Sequence, residues 1–282
     1  KLTLTQEDIK LTGWALESRL YAEDPYRGFL PSIGRLSRYK VPKGKNVRVD
    51  TGVTEGSEIT MFYDPMIAKL VTYGATRDEA LEEMGRALDA YEVKGIAHNI
   101  NFLNAVCHHP RFRAGKLTTG FIAEEYPEGF HGAPLDAETH EKLVAIAVLV
   151  HARHSSRSLS DVIEKTSKSW VVGHGKESST EVSAEDAKAG IDVSIGDRVF
   201  AVRSKWKPGK RRIKAKVNGF EMIAQLEFFR GSIRLTHAGA MVELAVRRPE
   251  DAALADLMPV KEAADLSKFL LCPMPGMPWS RQ

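Results

Sequence analysis

The sequence predicts an α+β protein in two unequal parts: a mixed sheet-and-helix segment, then an antiparallel β-barrel around a long helix. Three observations carry that expectation. Near residue 76 a capping signal opens a helix with one apolar face. At 143–150 eight successive apolar residues leave a helix with no polar face. Beyond about residue 169, short alternating runs follow one another between tight-turn pairs. With 282 residues, 43% hydrophobic and 27% charged, the chain has room for two domains and is too apolar for wholesale disorder.

The first part runs over residues 1–130. Within 14–22, Trp14, Leu16, Ser18 and Leu20 share one face, while Glu17, Arg19 and Tyr21 share the other, which is the period of a strand. Pro25, Gly28, Pro31 and Gly34 mark turns, with short strands expected near 36–41 and 47–50. Residues 66–73 read as a buried strand. Thr76 with Glu79 is a capping box, and Leu81, Met84, Leu88 and Tyr91 recur at helical spacing. A second helix is expected over 99–107, stopping near Pro110, and a short third over 119–126, closed by Pro127.

The second part, 131–268, opens with a helix over 136–154 whose apolar middle needs cover on most sides. Strands are expected at 169–172, 191–195, 199–204, 213–217, 220–228, 233–237 and 241–246. Asn218-Gly219 predicts a hairpin, because both turn positions require positive φ. Gly196-Asp197 and Arg230-Gly231 mark further turns, and a polar stretch within 165–189 reads as a loop. Residues 269–282, with Pro273, Pro275 and Pro278, form only a stub.

Forty basic against 37 acidic residues leave a charge of +3, too little for nucleic-acid binding by overall charge. Cys107 and Cys272 cannot build a disulfide framework, which favours a reducing compartment. The apolar run at 143–150 is far short of the roughly 18 residues of a membrane span. The chain opens at Lys1 without a methionine, so it is expected to be part of a longer polypeptide.

Arg19 is the first candidate for chemistry. A guanidinium held on a strand beside a cleft keeps its charge and offers a rigid fork of donors to a developing oxyanion. The alternative is a surface arginine paired with Glu17 or Glu23. Asp64, before Pro65, is pushed toward an extended or turn conformation and is a candidate to orient Arg19; the alternative is a turn aspartate satisfying its own backbone. His98, His108, His109, His151 and His154 show no metal-ligand spacing, so no metal site is expected. Residues 203–216 hold eight Lys or Arg and no acid. Their alternation with Ile213, Ala215 and Val217 suits a solvated strand face, against a nucleic-acid groove as the rival. Walker A, G-x-G-x-x-G and G-x-S-x-G motifs are absent from the sequence.

Longer strings go further. Glu17-Ser18-Arg19-Leu20-Tyr21-Ala22-Glu23-Asp24-Pro25, then Phe29-Leu30-Pro31-Ser32 and Gly34, resemble the carboxy-terminal part of biotin carboxylase. So do Tyr63-Asp64-Pro65-Met66-Ile67-Ala68-Lys69-Leu70 and Ile122-Ala123-Glu124-Glu125-Tyr126-Pro127-Glu128-Gly129-Phe130. The whole is similar to the biotin-containing subunit of the biotin-dependent acyl-CoA carboxylases. It lies nearest the members acting on propionyl-CoA, ahead of those acting on 3-methylcrotonyl-CoA or acetyl-CoA.

That resemblance implies a C-terminal part of biotin carboxylase at 1–130 and a biotin-transfer (BT) domain at 131–268. It further implies a truncated start of a biotin carboxyl carrier domain at 269–282. In the family the BT domain is a helix within a barrel that bridges to the carboxyltransferase β subunit, so partners would be that subunit, in a hetero-oligomer, and the carrier domain. Arg19 would bind biotin and act in catalysis, with Asp64 as orienter.

The implied cofactors are biotin, ATP and Mg2+. The family's ATP-grasp core would precede Lys1, and its biotinylated Met-Lys-Met does not occur in this sequence. This piece is therefore expected neither to bind ATP nor to carry biotin, and to be inactive alone, with a non-catalytic docking module as the rival reading. No nucleic-acid or membrane partner is expected. The compartment would be bacterial cytoplasm or mitochondrial matrix.

Overall fold

A computed structural model of the protein describes residues 2–155, 169–174 and 178–258. The alternation at the start folds as β1 (Trp14–Tyr21), followed by the short strands β2 (Glu23–Asp24), β3 (Leu30–Pro31), β4 (Gly34–Arg35) and β5 (Arg38–Lys40). Then come β6 (Val47–Thr51), β7 (Glu58–Ile59) and β8 (Met66–Gly74). β8 is the middle strand of an antiparallel sheet, with β1 on one side and β6 on the other. Ser18 faces Leu70 and Leu70 faces Val49, whereas Arg19 faces Lys69 and Lys69 faces Asp50. Because side chains alternate, the first row goes to the core and the second to the open face.

The core row is covered by α1 (Arg77–Ala90). Its Leu81, Met84 and Leu88, with Tyr91 just beyond, are buried against Leu20, Ile67 and Leu70. Thr76 caps the helix by accepting from the Glu79 amide at 3.2 Å, and the Glu79 carboxylate returns to the Ala75 amide at 2.8 Å, one residue earlier than the standard reciprocal bond. The Thr72 hydroxyl also donates to the Ala80 carbonyl at 2.8 Å, tying sheet to helix. β9 (Glu92–Lys94) pairs with β5, and α2 (Ile100–His108) follows. Pro110 does more than end that helix. It occupies the first turn of α3 (Pro110–Arg113), where its missing N–H costs nothing. α4 (Phe121–Glu125) completes the first part.

In the second part α5 (Ala137–Ser155) is started by Asp136, whose carboxylate accepts from the Thr139 amide at 2.8 Å. Eight strands follow: β10 (Ser169–His174), β11 (Ser178–Ala187), β12 (Gly190–Ile195), β13 (Arg198–Ser204), β14 (Arg212–Val217), β15 (Phe220–Phe229), β16 (Ser232–His237) and β17 (Ala240–Arg247). Each pairs with its neighbour, and β17 returns to β10, so the sheet is a closed barrel without free edges. All eight residues from Leu143 to Val150 are buried, in one core with inward side chains of every strand. At the β14–β15 turn, Asn218 and Gly219 both have positive φ, 49° and 87°.

One expectation needs correction. The polar stretch assigned to a loop contains β11, whose exposed residues are polar or charged and whose one buried side chain is Val182. With so little apolar signal, its strand character comes from the ladders on both sides. The chain after β17 also forms a helix, α6 (Pro249–Asp256), opened by proline in its first turn. The stub at 269–282 lies outside the described residues.

The two parts meet at the C-terminal end of α1. That end has no basic residue in its last turn and carries Asp89, an acid at the negative end of the helix dipole. The barrel supplies what is missing. Gln225 donates to the carbonyls of Asp89 (2.7 Å) and Tyr91 (3.1 Å), and Arg212, its cross-strand partner, donates to the Ala90 carbonyl at 2.5 Å. The buried Asp89 carboxylate accepts from Asn104 at 2.7 Å, from the Ala238 amide at 2.9 Å and from His237 at 2.7 Å.

Burial works against a charged His237 ring, but the hydrogen bond and charge of Asp89 outweigh it and hold the pKa above its ordinary 6.5. A raised folded pKa gives stability that is complete below the unfolded value and lost as pH rises through the folded one. The urea midpoint of the chain is expected to fall as pH rises above 6.5, and this component of the fall is expected to vanish in His237→Gln.

Candidate functional site

Arg19 stands on the open face of the three-stranded sheet. Alternation along β1 sends Ser18 and Leu20 inward and leaves the Arg19 side chain 56% exposed. Its Nε donates to the Glu17 carboxylate at 2.9 Å. Glu17, with Tyr21 on the other side, raises the guanidinium pKa, and Arg19 in turn holds Glu17 below the usual carboxylate range. The arginine is therefore a fixed cation. Lys69 lies directly opposite on β8, and Asp50, bound to Arg48 at 2.8 Å, is next in the row on β6.

The backbone beneath Arg19 is held by a residue that sequence reasoning missed. Asn99, buried before α2, donates its side-chain amide to the Arg19 carbonyl at 3.1 Å and accepts from the Tyr21 amide at 2.9 Å. Its own amide donates to the Tyr21 carbonyl at 3.3 Å. One side chain thus substitutes for a pairing strand along the outer edge of β1. The only signal was an asparagine at a helix start, which reads as an N-cap. Asn99→Ala is expected to destabilise the chain by about 1–3 kcal/mol, because two buried backbone groups lose partners; urea unfolding of the 282-residue chain measures it.

Asp64 and Arg19 are not brought together. The Asp64 carboxylate accepts from the Met66 amide at 2.8 Å, closing the turn that leads into β8. The β1–β8 ladder ends at Tyr21 and Met66, so Asp64 lies beyond it, and Glu23 is raised first by its own burial and then by the negative charge of Asp64. The side chain in the orienting position is Glu17. The histidines diverge: His108 contacts the Asn104 carbonyl at 2.9 Å, whereas His109 pairs with Glu125 at 3.2 Å. Burial, and then Lys94, push His98 down to about 4. Of the basic run, Lys214 and Lys216 lie on the solvated face of β14, with Lys214 paired to Glu221 at 2.8 Å. No helix among the described residues is long and apolar enough to cross a membrane.

Residues 17–124, which carry the sheet, Arg19 and Asn99, match the biotin carboxylase C-terminal domain. Residues 143–261, which carry the barrel, match the propionyl-coenzyme A carboxylase BT domain. Both are domains of biotin-dependent carboxylases, and through them the chain belongs to that family. Within it, the chain is similar to propionyl-CoA carboxylase α chains. It is 44% identical to that of Ruegeria pomeroyi, with 98% of this chain and 44% of that one covered. It is 36% identical to the mitochondrial α chain of Homo sapiens, with 96% and 39% covered. The chain thus spans less than half the length of these relatives. The biotin carboxylase domain of Hydrogenobacter thermophilus 2-oxoglutarate carboxylase, solved with MgADP, ADP and bicarbonate, is 41% identical over 45% of this chain and 28% of that one, with a TM-score of 0.43.

Proposed function

We propose that this chain works as part of a propionyl-CoA carboxylase α chain, contributing a biotin-contacting arginine and a barrel that docks the carboxyltransferase β subunit. The observation that carries the reading is Arg19, a charged, exposed guanidinium fixed from below by Asn99 and from the side by Glu17. It suits a neutral ureido group, since Glu17 engages Nε while more than half of the side chain stays exposed. Biotin, when bound, supplies a ureido nitrogen to which a carboxyl group is attached at the expense of ATP. Arg19 would hold the ureido oxygen, where a fixed guanidinium would offset developing negative charge. Glu17 keeps the fork aimed. Asp64 acts through the turn into β8, one step removed from the guanidinium.

The barrel, wrapped around α5, is the docking element, consistent with an α–β hetero-oligomer. The carrier domain that brings biotin to Arg19 is the second partner. The boundaries 1–130, 131–268 and 269–282 divide these roles. ATP and Mg2+ belong to other parts of the α chain, and the compartment is bacterial cytoplasm or mitochondrial matrix. Gel filtration of the chain with a propionyl-CoA carboxylase β subunit tests the docking half. Co-elution is expected, and two separate peaks at micromolar concentrations would remove it.

A further inference from the structure

Where the barrel faces the first part, a cavity of about 520 Å³ opens between β5 and β9 on one side and residues 209–212 on the other. A second, of about 360 Å³, continues past Gly209, Lys210 and Arg211 toward β15. Both fall within the usual range for small-ligand sites.

Six cations line them, Arg38, Lys40, Lys94, Lys210, Arg211 and Arg212, against the three acids Glu55, Glu92 and Glu227. The acids are already engaged. Glu92 holds Arg38 at 3.0 Å and Arg212 at 4.0 Å, Glu55 holds Arg38 at 3.4 Å, and Glu227 holds Lys94 at 3.5 Å. Among the described residues that leaves Lys40, Lys210 and Arg211 without an ion pair, converging on one concave surface. Unopposed charge in a cleft with low-dielectric walls focuses its potential on whatever anion enters.

The loop carrying two of these cations is fixed in advance. Buried Trp206 donates its indole N–H to the Lys210 carbonyl at 3.0 Å, the Leu226 amide donates to the Arg211 carbonyl at 2.7 Å, and Arg153 donates to the Trp206 carbonyl at 2.7 Å. Farther in, the wall changes character. Phe228, 45% exposed, lies with its ring 4.3 Å from that of His154 at a tilt of 35°, beside Leu226. One end of the cleft is thus cationic and forked, and the other adds a flat aromatic face beside the Lys94–Glu227 pair.

We propose that this cleft binds a nucleotide-sized phosphate ester, with Arg211, Lys210 and Lys40 on the phosphate and Phe228 with His154 against a flat heterocycle. Arginine's planar fork matches phosphate oxygens, and an aromatic face accepts a base of any sequence. The inference stands independently of the carboxylase reading, because it uses none of the residues on the Arg19 face.

Calorimetric titration of the 282-residue chain at about 150 mM salt, where the screening length is about 8 Å, tests it with AMP, adenosine, pyrophosphate, a polyglutamate peptide and a single-stranded oligonucleotide. AMP is expected to saturate one site, more tightly than pyrophosphate or adenosine. The double substitution Lys210→Ser with Arg211→Ser is expected to weaken AMP about tenfold or more with unchanged melting, since both side chains are exposed. Phe228→Ala is expected to weaken AMP while leaving pyrophosphate unaffected. Absence of AMP saturation, equal affinity for AMP and pyrophosphate, or tighter binding of the peptide or oligonucleotide would each overturn the proposal.

Discussion

Arg19→Ala, placed in a whole α chain, is expected to lower biotin carboxylation by about 10²–10³-fold, the loss that follows when one preorganised donor to a developing oxyanion is removed, or about 2.7–4 kcal/mol of transition-state stabilisation. The fold is expected to survive. The side chain is 56% exposed, and its one described ion pair is the neighbouring Glu17. Melting temperature and far-ultraviolet circular dichroism should match the unaltered protein, which separates a chemical defect from a structural one. Arg19→Lys keeps the charge but loses the planar fork, so partial activity is expected. Glu17→Gln is expected to cost less than Arg19→Ala, because it loosens the fork's aim without removing it. Near-normal turnover in Arg19→Ala would remove the residue from the chemistry.

The second large effect concerns the joint between the two parts. Asp89→Ala is expected to destabilise the chain by about 3 kcal/mol, the lower end of the cost of breaking a buried charged pair, because His237 is able to release its proton. Two donors lose their acceptor at once, the Asn104 side chain and the Ala238 amide, and His237 Nδ1 is left with the Ile223 carbonyl alone. Urea unfolding at neutral pH reads the change from the midpoint. Asp89→Asn, which keeps the shape and an acceptor oxygen, is expected to recover part of the loss. A change in Asp89→Ala within about 0.5 kcal/mol, as for an ordinary surface substitution, would show that the contact contributes nothing to stability.

What was legible in the sequence was whatever depends on near neighbours. The capping signal at Thr76, the alternation through β12–β17 and the Asn218-Gly219 turn are local statements, and the folded chain repeats them. β11 escaped because its inward row offers only Val182 and the small Ala184 to the core, so its strand identity belongs to the flanking strands and not to its own residues. Asn99 and Asp89 escaped for a different reason. Each is a short polar side chain at a helix end whose partners lie far away in sequence, Arg19 and Tyr21 for one and His237 and Ala238 for the other. Asp89 did break a local rule, since an acid at a helix C-terminus is disfavoured. Such a violation is a sign that another part of the fold compensates. Arg19 was locatable by alternation, but its setting was not: Asp64 closes its own turn, and Glu17, two residues away on the same face, is the partner.

Seven seams of the barrel join strands consecutive in sequence, and a single one joins the first strand to the last. Hairpins zip within microseconds, whereas bringing distant ends together must wait on a rarer encounter, because chain entropy is surrendered before any contact rewards it. The speed at which this half of the molecule assembles is therefore governed by the meeting of β10 and β17. Until they meet, two unpaired strand edges stand open to other chains, and a crowded cell is where that delay would be felt.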